Sequence, residues 1–132
     1  MTNQIKNLND KKPKYDLEER TAKFGRETIR FVARLTSSPI NLPLISQIVR
    51  SATSIGANYM EADAAESKKD FQHKIAICRK ESKETIHWFR MITEANPLCQ
   101  EQCQKLSREA HEFVLIFSAI LKSSRMNLNS KI

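Results

Sequence analysis

Glycine is nearly missing from this chain: two residues in 132, alongside four prolines. A β-sandwich or barrel needs a turn signal every ten residues or so, and this sequence does not supply them. Long apolar runs are missing too. The longest, Phe113 to Leu121, is nine residues interrupted by Ser118, under half of the ~20 that span a bilayer. It reads as core, and no membrane partner is expected. The N-terminal stretch holds lysines but no apolar segment, so it resembles neither a secretory signal nor an anchor, and a cytoplasmic location is expected. Cysteine is sparse, with Cys78, Cys99 and Cys103 at no disulfide-scaffold spacing. That suits a reducing compartment, where buried thiols act as small apolar groups. A Gly-rich phosphate loop, a serine nucleophile elbow and a His-Glu-x-x-His zinc pair are all lacking. No catalytic residue and no cofactor is expected, and the protein reads as a non-enzyme.

What is present is charge and helical periodicity. Lysine and arginine outnumber aspartate and glutamate 22 to 15, a net +7. The chain reads as one all-α domain, an antiparallel up-and-down four-helix bundle over residues 16–124, with a basic tail at 1–15 and a frayed tail at 125–132. Asp16 can cap the first helix, because its carboxylate accepts a bond from an orphan amide of the first turn. Leu17, Phe24, Phe31 and Leu35 give that helix one apolar stripe, and Ser37-Ser38-Pro39 ends it.

Pro43 fits the first turn of the second helix, capped at Asn41 or Leu42, which runs to about Asp63 with Leu44, Ile48, Ser51, Ile55 and Tyr59 inward. Gly56 costs about 1 kcal/mol relative to alanine inside a helix, so it is there to make room for a neighbour. Ser67 opens the third helix, which nothing interrupts before Asn96-Pro97. Phe71, Ile75, Cys78, Ser82, Thr85, Phe89 and Ile92 line one face, and Ile77, Trp88, Met91 and Ala95 a second. The fourth helix, about Leu98 to Ser124, carries Cys99, Cys103, Leu106, Ala110, Phe113, Phe117 and Ile120, and its second half is apolar nearly all round. Extra apolar surface of this kind calls for cover from other copies, with Trp88, Met91, Leu115 and Ile116 as the expected oligomer interface.

Glu84-Thr85-Ile86-His87 supplies one Glu-x-x-His pair of the kind that di-iron bundles use twice. The second pair is missing, so no metal is expected. Lys69, His73, Lys80, Lys83, His87 and Arg90 recur at three-and-four spacing on the third helix, away from its main apolar stripe. With Lys11, Lys12 and Lys14 of the tail, Lys69, Lys80, Lys83 and Arg90 are the candidate nucleic-acid contacts, since such a strip neutralises phosphates and releases counterions. The competing reading is a solvated face with i,i+4 partners, such as Lys80 with Glu84. Arg50, Asn58, Glu61, Glu81 and Glu84 are expected to form a structural polar network, because such groups are buried only when mutually satisfied.

The stretch RSATSIGANYMEADAAESKKDF at 50–71, followed by KESKETIHWF at 80–89, resembles the bacterial four-helix bundle family related to proteins encoded in intervening sequences of large-subunit ribosomal RNA genes, often labelled ribosomal-protein-like. Arg50-Ser51, Ser54-Ile55, Asn58, Glu61, Ser67, Phe71, Glu81, Glu84 and Trp88 carry the resemblance. It implies a bundle that assembles as a ring, typically a homopentamer, without enzymatic activity and with RNA or DNA as partner. A similar fold occurs in the accessory variability-determinant proteins of diversity-generating retroelements, which work with a reverse transcriptase. Two functions follow: a nucleic-acid-binding accessory of little sequence selectivity, or a protein-interaction scaffold whose charge serves solubility.

Overall fold

The computed structural model describes residues 16–130, with side chains through Met126; Lys11, Lys12 and Lys14 lie outside the described residues. Four helices follow in order: α1 (Leu17–Val32), α2 (Asn41–Asp63), α3 (Lys68–Ala95) and α4 (Gln100–Ser130), the last preceded by a 3₁₀ turn at Pro97–Cys99. No strand occurs among the described residues.

Local chemistry places most ends where the sequence puts them. The Asp16 carboxylate accepts from the Glu19 amide at 3.3 Å, and the Ser67 hydroxyl accepts from the Asp70 amide at 3.0 Å. Two ends differ. α1 stops at Val32, five residues before Ser37, because the Arg34 and Leu35 amides turn to the carbonyls of Phe31 and Val32 and tighten the chain into a turn. α4 runs on through Ser130, past Ser124, as no proline or glycine follows Leu121 to stop it. The N-cap of α2 is Ile40 and offers no side-chain bond. Asn41 is spent otherwise: its amide group and that of Asn96 bond reciprocally at 3.1 and 2.9 Å, and Asn41 also donates to the Thr36 carbonyl. That pair ties the α1–α2 turn to the C-terminal end of α3.

Cross-helix partners show that successive helices run antiparallel. Arg50 on α2 meets Glu81 and Glu84 on α3, whereas Glu61 meets Lys74, so the two run in opposite senses. On α3 and α4, Gln72 reaches Ser124 and Arg79 reaches Ser118. Thr21 of α1 lies beside Gly56 of α2, and Gly25 beside Thr53.

The core is one apolar column. Leu17, Phe24, Phe31, Ile48, Ile55, Ile75, Phe89, Ile92, Leu106, Phe113 and Phe117 are all buried. Phe24 stands edge-on to Phe113 with centroids 5.4 Å apart, a favoured arrangement for ring quadrupoles. Gly56 makes room, as its sequence position implied: a Cβ there would sit 3.2 Å from the Thr21 hydroxyl oxygen.

Candidate nucleic-acid interface

The third helix presents the basic strip. Lys69, His73, Lys80, Lys83, His87 and Arg90 are all exposed, while Ile75, Cys78, Ser82, Thr85, Phe89 and Ile92 on the opposite side are buried. Glu84, the i,i+4 partner that could neutralise Lys80, is engaged elsewhere. Its carboxylate pairs with the Arg50 guanidinium and accepts from the Trp88 indole N–H at 2.9 Å. Among the described residues, Lys69, Lys80, Lys83 and Arg90 form no ion pair.

Of the five residues expected in one polar network, three come together. Arg50 bonds Glu84 and, at 3.3 Å, Glu81, and its Nε also donates to Gln47. The Glu81 carboxylate is mostly buried, at 10% side-chain exposure, and needs the arginine there. Beneath it the hydroxyls of Ser51 and Thr85 lie 2.8 Å apart. Asn58 and Glu61 lie outside this cluster. Asn58 donates to the Ser54 carbonyl of its own helix, and Glu61 pairs with Lys74 at 2.7 Å. Arg50 and Glu61 do share a helix face, but three turns separate them by about 16 Å.

His87 is exposed and Glu84 is committed to Arg50 and Trp88, so the Glu-x-x-His spacing gathers no ligand set. No group of three His, Cys, Asp or Glu among the described residues could hold a metal ion. The thiols are sheltered. Burial pushes Cys78 up to about 12, with its Sγ 3.5 Å from the Ile55 carbonyl; burial also raises Cys103.

The residues expected at an oligomer interface divide between two environments. Leu115 is 64% exposed, whereas Trp88 and Ile116 pack against the core with one edge open. Met91 is half-buried. No helix among the described residues is long and apolar enough to cross a membrane.

A second basic surface, unremarked in the sequence, lies where α1 meets α4. These two helices touch sparsely, and between them opens a cleft of about 980 Å³ whose walls carry Arg20, Lys23, Arg30 and Arg34 from the α1 side and Lys105 and Arg108 from α4. Arg20 closes one end, bonding Glu109 through Nε at 2.7 Å and Nη2 at 2.8 Å. Its guanidinium also lies 5.4 Å from the centre of the Phe113 ring. The bonded Glu109 carboxylate holds Arg20 above the usual arginine range. In the sequence Lys23 and Arg30 of α1 fall seven residues apart, with Arg34 four further on in the turn that follows. That spacing shows the cations share a side, but not that α4 stands away from it.

Two comparisons with known proteins bear on this chain. Residues 14–119 match the family model described as 23S rRNA-intervening sequence protein. The fold is similar to the crystal structure of a protein of unknown function from the S23 ribosomal protein family of Bacteroides thetaiotaomicron, with a TM-score of 0.75 and 28% identity over 82% of this chain and 96% of that one. No curated protein matches.

Proposed function

From the premise that the chain belongs to the 23S rRNA-intervening sequence protein family, we propose that it is a non-enzymatic accessory that binds RNA or DNA through its basic surface with little sequence selectivity. The observation that carries this reading is the exposed α3 strip, where Glu84, the acid four residues on from Lys80, is turned away to Arg50 and Trp88. Left without ion pairs among the described residues, Lys69, Lys80, Lys83 and Arg90 hold their charge for an outside anion. Contacts from such a strip to phosphates carry no sequence information, which is why selectivity is low.

Assembly strengthens the reading. A homopentameric ring formed through the Leu115 side of the molecule turns +7 per chain into a polyvalent surface, which raises avidity without new contacts. As a retroelement accessory such a ring would also meet a reverse transcriptase, and co-purification with that enzyme from a host carrying one tests this narrower version.

Titration of RNA and DNA at several salt concentrations tests the main reading. Log affinity should fall linearly with log salt, and Lys80→Gln with Lys83→Gln should shallow the slope by about 0.7–0.9 per lost contact. An unchanged affinity and slope in the double variant would remove the strip from the reading and favour a protein-interaction scaffold.

A further inference from the structure

The cleft between α1 and α4 is a better-shaped anion site than the convex strip on α3. It continues past Arg34 into a second recess of about 520 Å³, lined by Leu35, Leu98, Gln102, Lys105 and Arg108 among others. Arg34, Gln102, Lys105 and Arg108 line both recesses, so the two form one groove. Charge is distributed unevenly along it. At the Arg20 end the carboxylates of Glu109 and Glu112 both act on the guanidinium, and the cation is answered. Toward the other end Arg30, Arg34, Lys105 and Arg108 line the walls with Glu27 and Glu101, and none of the four has an ion pair among the described residues.

We infer that this groove holds the sugar–phosphate backbone of a single-stranded nucleic acid. The inference rests on the nucleic-acid reading above and adds to it a second site and a strand preference. Dimensions argue for one strand. From Arg20 to the turn carrying Arg34 the wall is about 20 Å long at 1.5 Å per residue, and the cleft stays open to solvent between its two helix walls. A single extended chain enters such a space; a double helix rests on its rim. Chemistry argues the same way. Arg30 and Arg34 offer planar forks that grip phosphate oxygens bidentately and stack on bases, and Lys105 and Arg108 face them from the opposite wall.

Leu98, fully exposed at the mouth, offers an apolar surface against which an unstacked base can lie. Positively charged grooves that track the backbone are how strands are bound without sequence readout.

The test uses the full-length protein with a fluorescent 12-nucleotide oligouridylate, an RNA duplex of the same length, and uridine monophosphate as competitor. Arg30, Arg34 and Lys105 are exposed and Gln102 carries no charge, which gives two variants acting by different means. The triple change Arg30→Gln, Arg34→Gln, Lys105→Gln should weaken strand binding at least 10-fold and shallow its salt slope by about 2, with duplex binding changed less than threefold. Gln102→Trp changes the shape of the groove at constant charge and should alter strand affinity at least threefold, in either direction, while sparing the duplex. Melting curves confirm that both variants fold.

If both variants bind the strand as the native protein does while Lys80→Gln with Lys83→Gln loses it, the groove is not the site and the α3 reading stands alone. Equal losses for strand and duplex in the triple variant would reduce the groove to diffuse charge and overturn it. Competition by uridine monophosphate at equal phosphate concentration, or by poly-glutamate at equal charge, would make it a nucleotide pocket or an acidic-peptide site. A native protein that binds no nucleic acid at low salt would overturn the groove and the proposed function together.

Discussion

Arg20 on α1 and Glu109 on α4 are joined by two parallel N–H···O bonds of 2.7 and 2.8 Å, and among the described residues this is the only ion pair between those helices. The helices otherwise stand apart at a cleft, so this clamp and the Phe24–Phe113 contact beneath it hold the seam. Both side chains remain about 30% exposed, which limits the ion pair by solvent screening; bidentate geometry and the stack on Phe113 raise its worth. Arg20→Ala should cost about 1–2 kcal/mol in urea unfolding, and more than Arg26→Ala, whose partner Glu19 is on the same helix and mostly exposed. Equal costs for the two would mean the seam is held by apolar contact alone.

The two glycines should respond differently to alanine. A Cβ on Gly25 would meet Thr53 at an ordinary 3.7 Å, whereas one on Gly56 would come within 3.2 Å of the Thr21 hydroxyl oxygen. That hydroxyl donates to the Leu17 carbonyl at 2.6 Å and cannot easily step aside. Gly25→Ala should therefore gain most of the roughly 1 kcal/mol of helix propensity, and Gly56→Ala should gain none or lose stability. Thermal melts of the two variants side by side give the answer, and the reverse order would contradict the close α1–α2 approach.

Thiol chemistry should be graded by burial. Cys99 is half-buried and Cys78 and Cys103 are fully buried, so alkylation at pH 8 should modify Cys99 first and Cys78 only as the chain unfolds. Cys78 also makes stability pH-dependent. Its folded value lies at about 12 against 9.0 when unperturbed. Below pH 9 both states keep the proton and this group contributes no slope. Above it the unfolded state loses its proton first, so the unfolded state binds fewer protons and stability falls as pH rises toward 12. Cys78→Ser should flatten part of that decline relative to the native chain; an unaltered alkaline decline would assign it to other groups, Tyr59 among them, which burial also raises.

The paired amides of Asn41 and Asn96 invite a direct comparison. Each carboxamide bonds the other, and each also donates to a carbonyl, Thr36 and Ile92 respectively. Truncating one leaves the other with unmet bonds in a half-buried turn, so Asn41→Ala should cost about 2 kcal/mol. The double variant with Asn96→Ala should cost less than the sum of the two singles, as expected for one shared interaction. Strict additivity in denaturant melts would show the residues act separately.

What could be read in the sequence was what depends on near neighbours in the chain. The Asp16 and Ser67 caps are three-residue contacts, and the stripe from Ile75 to Ile92 is one helix's own period, so both follow from spacing. Features fixed by distance between helices were not legible. Shared facing suggested Arg50 with Glu61, but only the antiparallel register decides that Arg50 meets Glu81 and Glu84 while Glu61 falls to Lys74. The α1–α4 groove is of the same kind: its cations are visible in the sequence, but the gap that makes them a groove belongs to the packing.

Assembly can be tested at one position without endangering the subunit. Leu115 is 64% exposed, so a glutamate there meets water in the isolated bundle and should not unfold it. Ile116, its neighbour, packs against the core, and a glutamate there should destabilise the fold, since burying a carboxylate without a partner is costly. If α4 forms the contact between copies, Leu115→Glu should turn the native oligomer into a folded species near the 15.2 kDa of one chain in sedimentation equilibrium. Its circular dichroism should be unchanged, and its nucleic-acid affinity should drop with the loss of avidity. The native chain sedimenting at 15.2 kDa at micromolar concentration would end the ring reading. A Leu115→Glu variant that stays oligomeric would instead move the contact to another face.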